Sequence, residues 1–306
     1  MTSHLTKKHA VVIINPTAGR GSAGRSVPML RELLRDSDYD FDWRFTEARG
    51  DAETMARNAA ASGASLVICV GGDGTFHEAA NGVLGTGTTI GLIPFGTGND
   101  LARALGLFGN VKAACEVIKS GIVRRIDVGA IRGTGFEGVR HFFVLSGTGF
   151  DAKTAQTVNS GIRYLSGAPA YVWGSLITLA KFEPFNLTVT TETETRTLDA
   201  MFVSVANAAT TGGGMLIAPG AVVDDGCLDL CVVGKVSKAT LAYQLTQVFS
   251  GAHTKHPAVS MLRGSQITLE ADPPQPLLID GEVIGSTPAS IVVIAKALPI
   301  LVPKPL

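Results

Sequence analysis

The sequence has no excess of either charge, since Lys and Arg together number 26 and Asp and Glu together also number 26. A nucleic-acid-binding protein usually carries a basic excess, so this balance argues against nucleic acid as a partner. Long hydrophobic runs are also missing. The longest apolar stretch, Ala168–Ala180, is shorter than the roughly 20 residues of a membrane-spanning helix. Met1–Lys8 is polar and basic and does not resemble a signal peptide. We therefore expect a cytoplasmic protein whose membrane contact is peripheral.

Cysteine is scarce, with residues at positions 69, 115, 227 and 231 only. Cys69 lies in an apolar, strand-like stretch and Cys115 in a helical pattern, so we expect both thiols to be buried. Cys227 and Cys231 have no second pair that would complete a zinc site. The cysteines therefore predict neither a disulfide framework nor a zinc centre.

Glycine, by contrast, is abundant, and two short glycine-rich runs are the most informative part of the chain. They are Gly71-Gly72-Asp73-Gly74-Thr75 and Phe95-Gly96-Thr97-Gly98-Asn99-Asp100. Each run follows an apolar, strand-like stretch and precedes a segment with helical spacing. A loop without side chains lets its backbone approach a polyphosphate, and N–H groups at a helix N-terminus bind anions. The two runs predict a nucleotide site, where Asp73 offers a carboxylate to the magnesium that accompanies ATP.

A third glycine-rich run, Gly19–Gly24, matches the dinucleotide-binding pattern GxGxxG. In that fingerprint the first glycine follows the strand almost at once, whereas here Asn15–Ala18 intervenes, so nicotinamide binding is disfavoured. Two interpretations stay open: a phosphate-side loop in which Arg20 or Arg25 faces anionic oxygens, and a plain flexible loop. The sequence GxxxxGK[ST] does not occur, which argues against a Walker-type ATPase.

The strand and helix patterns predict two domains. Residues 1–125 alternate strands with helices, which predicts an α/β domain with a parallel, Rossmann-like sheet in three layers. Residues 126–295 contain many short strands with Gly and Pro turns, which predicts a mainly-β sandwich domain. Helical insertions near Ile162–Lys181 and Ala239–Ser250 interrupt this second pattern. We expect residues 296–306 to return to the first domain. The predicted strands of the first domain are Ala10–Ile14, Phe41–Thr46, Leu66–Val70 and Thr89–Ile93.

Four motifs in order give the chain a specific resemblance. Asn15-Pro16, Gly71–Thr75, Pro94–Asp100 and Asp280-Gly281-Glu282 together resemble the diacylglycerol-kinase catalytic superfamily, in particular the soluble bacterial lipid kinases. The resemblance covers nearly the whole chain. Sphingosine-type kinases are similar, but they more often carry Leu after Gly-Gly-Asp-Gly and Ser in the second loop. This chain has Thr at both places and is therefore closer to the diacylglycerol type.

The resemblance implies a role for each motif. Glu282 is the expected general base, and Asp73 and Asp280 are further catalytic carboxylates. The expected ligands of a structural Mg²⁺ are the carboxylate of Asp225 and the backbone carbonyls of Val222 and Cys227. The residues expected to bind ATP are Asn15, Thr46, Gly71, Gly72, Asp73, Gly74, Thr75, Phe76, Gly96, Thr97 and Asn99.

The expected function is ATP-dependent, Mg²⁺-assisted phosphorylation of a lipid hydroxyl. Diacylglycerol, phosphatidylglycerol, a sphingoid base and ceramide all stay open as acceptors, because acyl pockets are built from interchangeable apolar residues. Tyr164, Tyr171 and Trp173 suit either core packing or an interface with a membrane. Two alternatives are a kinase of a soluble substrate such as NAD and a catalytically silent lipid-binding module. The oligomeric state is not readable, although an apolar strand edge is compatible with a homodimer.

Overall fold

The computed structural model describes residues 7–161, 174 and 177–305 of the chain. The predicted helical insertion Ile162–Lys181 therefore lies largely outside the described residues. Tyr164, Tyr171 and Trp173 also lie outside the described residues. Within the described part of the chain, no helix combines the length and the apolar character that crossing a membrane requires.

The chain folds as two compact units. The first comprises Met1–Ile126 and Lys296–Leu306, and the second comprises Asp127–Ala295. In sequence, the second unit is thus inserted between two segments of the first. Each unit has its own apolar core, which includes the fully buried Ile13 in the first unit and Leu230 in the second.

Four strands of the first unit pair in parallel, in the order β2-β1-β3-β4. The strands β1 and β3 consist largely of buried, β-branched residues, as expected for strands covered on both faces. The strands are β1 (Lys8–Ile14), β2 (Tyr39–Phe45), β3 (Leu66–Gly71) and β4 (Thr89–Pro94). The helices are α1 (Ala18–Arg25), α2 (Val27–Leu34), α3 (Asp51–Ala61), α4 (Asp73–Val83), α5 (Asp100–Ala104) and α6 (Val111–Ser120).

The second unit is mainly β, and most of its strands pair antiparallel. Its hydrogen-bonded strands follow one another in the order β11-β10-β9-β7-β13-β14, and β8 pairs with both β9 and β12. The strands are β5 (Ile122–Thr134), β6 (Arg140–Phe142), β7 (Leu145–Gly149), β8 (Phe185–Thr190), β9 (Thr195–Ala206), β10 (Leu228–Gly234), β11 (Val259–Gly264), β12 (Gln266–Asp272), β13 (Pro276–Ile279) and β14 (Glu282–Val302). Two helices have both ends within the described residues, α7 (Phe150–Gly161) and α8 (Lys238–Gln247), and residues 177–181 are also helical. Helix α8 is followed by 3₁₀ turns at Val248–Ser250 and Ala252–Lys255.

The last strand differs from its prediction. Sequence patterns predict two short strands in this region, at Val283–Ile284 and Ser290–Ala295, whereas β14 runs without interruption from Glu282 to Val302. Gly285 and Pro288 look like strand breakers, yet both lie inside it. Its final residues belong to the first unit, where Ile300 pairs in parallel with Ile90 of β4.

Candidate functional site

The loops that follow β1, β3 and β4 meet at one edge of the first unit's sheet, because parallel strands end on the same side. Backbone hydrogen bonds continue the sheet into these loops. The N–H of Asn15 donates to the carbonyl of Val70 at 3.0 Å, and the N–H of Phe95 donates to the carbonyl of Gly71 at 2.7 Å. This edge is where open α/β sheets bind their ligands.

The two glycine loops touch each other through their backbones. A Cβ atom added to Gly96 would lie 2.6 Å from the Cα of Gly72, and one added to Gly72 would lie 3.0 Å from the Cα of Gly96. Real Cβ atoms essentially never come as close as 2.6 Å, so a side chain at Gly96 would force the loops apart, and one at Gly72 would require the loops to shift by a few tenths of an ångström. Glycine is therefore needed here for contact between loops as well as for access to a ligand.

Asp73, the first residue of α4, joins the first glycine loop to the second. Its Oδ2 accepts the N–H of Asn99 at 2.7 Å, and its Oδ1 accepts the N–H of Asp100 at 2.9 Å. Both donors lie at the N-terminus of α5, where the helix dipole favours a negative charge. Asn99 in turn accepts the N–H of Gly96 at 2.9 Å through its side-chain oxygen. The carboxylate thus fixes the position of the second loop relative to α4.

Asn15 connects the loop after β1 to the same helix. Its side-chain N–H₂ donates to the hydroxyl of Thr75 at 3.1 Å. Its side-chain oxygen accepts from the N–H of Thr17 at 3.1 Å and from the Thr17 hydroxyl at 2.8 Å. The amide therefore holds the first turn of α4 and the start of the glycine-rich tail together.

These loops surround a cleft of about 500 Å³ within the first unit. Seven of the residues expected to bind ATP line it: Asn15, Thr46, Gly72, Gly74, Thr75, Gly96 and Thr97. The other four, Gly71, Asp73, Phe76 and Asn99, are not among the lining residues. Phe76 and Asn99 are buried, and the latter contacts the backbone of Gly96.

Three charged residues line this cleft that are not among the residues expected to bind ATP: Glu47, Arg49 and Glu78. Glu78 lies one helical turn after Gly74, a spacing that places both residues on one face of α4 and that could have identified it. Its carboxylate accepts the N–H of Ala52 at 3.2 Å. One interpretation of the Gly19–Gly24 run predicts that Arg20 or Arg25 faces the anionic oxygens of a phosphate. Neither arginine lines the cleft.

The loop between β2 and α3 is fixed by the carboxylate of Asp51. Its Oδ2 accepts the N–H groups of Glu47 at 2.8 Å and of Ala48 at 2.7 Å. These two hydrogen bonds hold the pKa of Asp51 below its usual value. Since Glu47 and Ala48 both line the cleft, Asp51 shapes its wall from outside.

In the second unit, Asp280 and Gly281 form the two-residue turn between β13 and β14. Their φ angles are +43° and +91°, as a type I′ hairpin turn requires, and Ile279 pairs with Glu282 across it. The Asp280 carboxylate accepts three backbone N–H groups, those of Phe143 at 2.8 Å and of Val144 and Leu145 at 3.0 Å each. Glu282, at the start of β14, is half-buried.

The residues expected to hold a structural Mg²⁺ do not fit a metal ion in this structure. The Oδ1 of Asp225 accepts the N–H of Cys227 at 3.1 Å, and its Oδ2 forms an ion pair with the guanidinium of Arg263. Both oxygens of the single carboxylate in the set are therefore engaged by protein groups. Across the part of the chain that the structure describes, no group of three or more His, Cys, Asp or Glu side chains could hold a metal.

Comparisons with known protein families cover both units. Residues 9–131 match the diacylglycerol kinase catalytic domain. Residues 145–302, about half of the chain, match the YegS C-terminal NAD kinase beta sandwich-like domain. Both matches follow the chain in the order that the sequence motifs predict.

Individual relatives match over nearly their full lengths. The diacylglycerol kinase of Mycobacterium tuberculosis (strain H37Rv) is 29% identical over 311 residues, which span 99% of each chain. The diacylglycerol kinase of Bacillus subtilis (strain 168) is 27% identical over 300 residues and 97% of each chain. A crystal structure of a diacylglycerol kinase from Bacillus anthracis str. Sterne shares the fold, with a TM-score of 0.73 over 97% of each chain and 24% identity.

Proposed function

Because the chain belongs to the diacylglycerol kinase superfamily and is a lipid kinase, we propose that it transfers the γ-phosphoryl group of ATP to a hydroxyl of diacylglycerol or a related lipid. The observation that carries this proposal is the cleft in the first unit. It brings together the loops after all four parallel strands, with seven of the residues expected to bind ATP on its wall. The β2-β1-β3-β4 order supports a Rossmann-like arrangement of this unit.

The loops after β3 and β4 supply the phosphate-binding groups. Gly72 and Gly74 leave the backbone of the first loop open at the N-terminus of α4, where N–H groups favour negative charge. Thr46, Thr75 and Thr97 line the same cleft and offer hydroxyl groups to the nucleotide. Mg²⁺ enters with ATP as part of the substrate and neutralises charge on its phosphates. Asp73 contributes by holding the second glycine loop in place.

Glu282 is the proposed general base. As the bond between the lipid oxygen and the γ-phosphorus forms, the bond from that phosphorus to ADP breaks, and the proton of the lipid hydroxyl passes to the Glu282 carboxylate. Asp280 is two residues earlier, and its carboxylate accepts three backbone N–H groups. We assign it the role of fixing the turn from which Glu282 projects.

A lipid acceptor implies that the enzyme works at a membrane surface, so peripheral membrane contact is part of this proposal. The cytoplasmic location and the homodimer stay predictions. An NAD-kinase-like activity is not favoured, because the relatives that match across the full length are named diacylglycerol kinases. A silent lipid-binding module is not favoured for the same reason.

The test is transfer of labelled γ-phosphate from ATP-Mg²⁺ to a panel of diacylglycerol, phosphatidylglycerol, a sphingoid base, ceramide and NAD. We expect a labelled lipid and no labelled NAD. Glu282→Gln should lower the rate by ~10²–10⁴-fold, because it removes the proton acceptor and keeps the shape of the side chain. Glu270→Gln, an exposed position on β12 of the same unit, is the matched control and should leave the rate unchanged.

Two results would contradict the proposal. Label on NAD alone would replace the lipid acceptor with a soluble one. Wild-type rates in Glu282→Gln, with the Glu270→Gln control also unchanged, would remove Glu282 from the chemistry.

A further inference from the structure

The loop between residues 220 and 227 of the second unit, the Gly220–Cys227 loop, contains the three residues expected to bind a structural metal. It is anchored at several points by groups of the protein itself. The fully buried Asp127 of β5 accepts the N–H of Gly226 at 2.7 Å and donates its own N–H to the carbonyl of Val223 at 2.7 Å. These contacts fix both the middle and the end of the loop.

A further anchor is the ion pair between Asp225 and Arg263. Arg263 lies on β11, directly opposite Asp229 of β10 in the antiparallel register, so strand pairing places its guanidinium beside the loop. Its Nε is 4.0 Å from the Oδ2 of Asp229, while an Nη contacts Asp225. The guanidinium thus lies between two carboxylates of the second unit.

The hydration and the geometry of the two cations favour the guanidinium over a divalent ion at this loop. An Mg²⁺ here would be held by the single carboxylate of Asp225 and two uncharged carbonyls, although Mg²⁺ loses its water reluctantly and demands near-ideal octahedral geometry. The guanidinium is always charged, is more weakly hydrated, and presents a planar fork that matches carboxylate oxygens. It is also covalently part of the fold and needs no free cation from solution.

We infer that Arg263 is the built-in cation of the Gly220–Cys227 loop and that the folded loop takes up no divalent metal ion. Nothing in this role depends on the identity of the phosphoryl acceptor. The disagreement with the metal set that the family resemblance implies follows from the contacts of Asp225.

Binding of Mn²⁺ to the nucleotide-free, full-length protein tests the metal half of the inference directly, with electron paramagnetic resonance counting the bound ions. We expect no bound Mn²⁺ that depends on Asp225. A bound ion that persists in Asp225→Asn lies elsewhere and agrees with the inference. A bound ion that Asp225→Asn abolishes, with the protein still folded, overturns it.

Thermal unfolding tests the role of Arg263. The midpoint of the wild type should be the same in EDTA and in millimolar Mg²⁺. Arg263→Met should lower it by about 2–4 °C, because Asp225 and Asp229 then lack their cation. Arg196→Met is the matched control, since Arg196 pairs with Glu194 on the exposed β8–β9 hairpin. Equal midpoints for the two variants would overturn the role of Arg263.

Discussion

Each unit contains a carboxylate that the sequence motifs connect with catalysis, and each carboxylate accepts backbone N–H groups, but the two reach different partners. Asp73 accepts two N–H groups from the next loop of the same sheet, 26 and 27 residues away. Asp280 accepts three, from a segment 135 to 137 residues away. The first contact aligns two neighbouring loops at a ligand cleft. The second connects segments near the two ends of the second unit, so we expect its loss to lower the free energy of unfolding by more.

A third carboxylate sharpens this comparison. Asp151, near the start of α7, accepts one backbone N–H from Ala152 at 2.7 Å and the hydroxyl of Ser204 at 3.2 Å. Burial outweighs these hydrogen bonds and raises the pKa of Asp151 to about 7. The three side chains differ in how many backbone donors stabilise them, and their roles as anchors should follow that order.

The largest effect is expected from Asp280→Ala. It leaves the N–H groups of three buried residues without an acceptor, and we expect the free energy of unfolding to fall by about 3 kcal/mol or more. Asp280→Asn should lose less, because Asn keeps an acceptor oxygen and tolerates the positive φ of this position. Urea denaturation of both variants measures the difference. Equal losses would mean that the hydrogen bonds to Phe143, Val144 and Leu145 are not what holds the turn.

A smaller effect is expected from Asp73→Ala, which removes two acceptors at the N-terminus of α5. We expect a loss of about 2 kcal/mol in the free energy of unfolding. Because the second glycine loop is then released from α4, the thermal stabilisation of the protein by ATP-Mg²⁺ should also fall. Asp73→Asn, which keeps one acceptor, should lie between the alanine variant and the wild type. An unchanged response of Asp73→Ala to ATP-Mg²⁺ would show that the second loop is positioned without this carboxylate.

The most gradual effect, and the smallest per pH unit, concerns Asp151. Its folded pKa of about 7 lies above the usual value near 3.9, so the folded state binds a proton that the unfolded state releases between these values. Stability from this group is therefore present at low pH and lost as the pH rises toward 7, by at most about 1.4 kcal/mol per pH unit.

Asp151→Asn isolates this contribution. The difference in unfolding free energy between wild type and variant, measured by denaturant titration from pH 5 to pH 8, should shift steadily toward the variant and level off above pH 7. Contributions from the other titrating groups cancel in the difference. A difference that does not change with pH would show that Asp151 titrates alike in the folded and unfolded states.

Much of the first unit could be predicted from the sequence because its signals are local. The predicted strand Leu66–Val70 corresponds to β3, which ends at Gly71, and Thr89–Ile93 corresponds to β4, which ends at Pro94. The glycine loops follow these strands directly, and parallel pairing then brings them together. Thr46 and Thr97, which also line the cleft, were expected there from the family resemblance and not from these local patterns.

The contacts that sequence reasoning missed are set by long-range register. The motif Asp280-Gly281-Glu282 contains two carboxylates of similar appearance, and only the pairing of β13 with β7 brings Asp280 to the backbone of Leu145. Likewise, the pairing of β10 with β11 puts Arg263 next to Asp225. Local patterns contain no information on such partners.

The course of β14 has a consequence for biosynthesis. The strand begins in the second unit, and its last residues supply the parallel neighbour of β4 in the first. A ribosome must therefore translate the whole inserted unit before the sheet of the first unit acquires this strand. Until then the edge of β4 is open to pairing with other chains, which is the hazard of any unprotected strand. Expressing Met1–Ile126 alone would preserve that hazard, whereas joining Lys296–Leu306 to it would supply the missing strand.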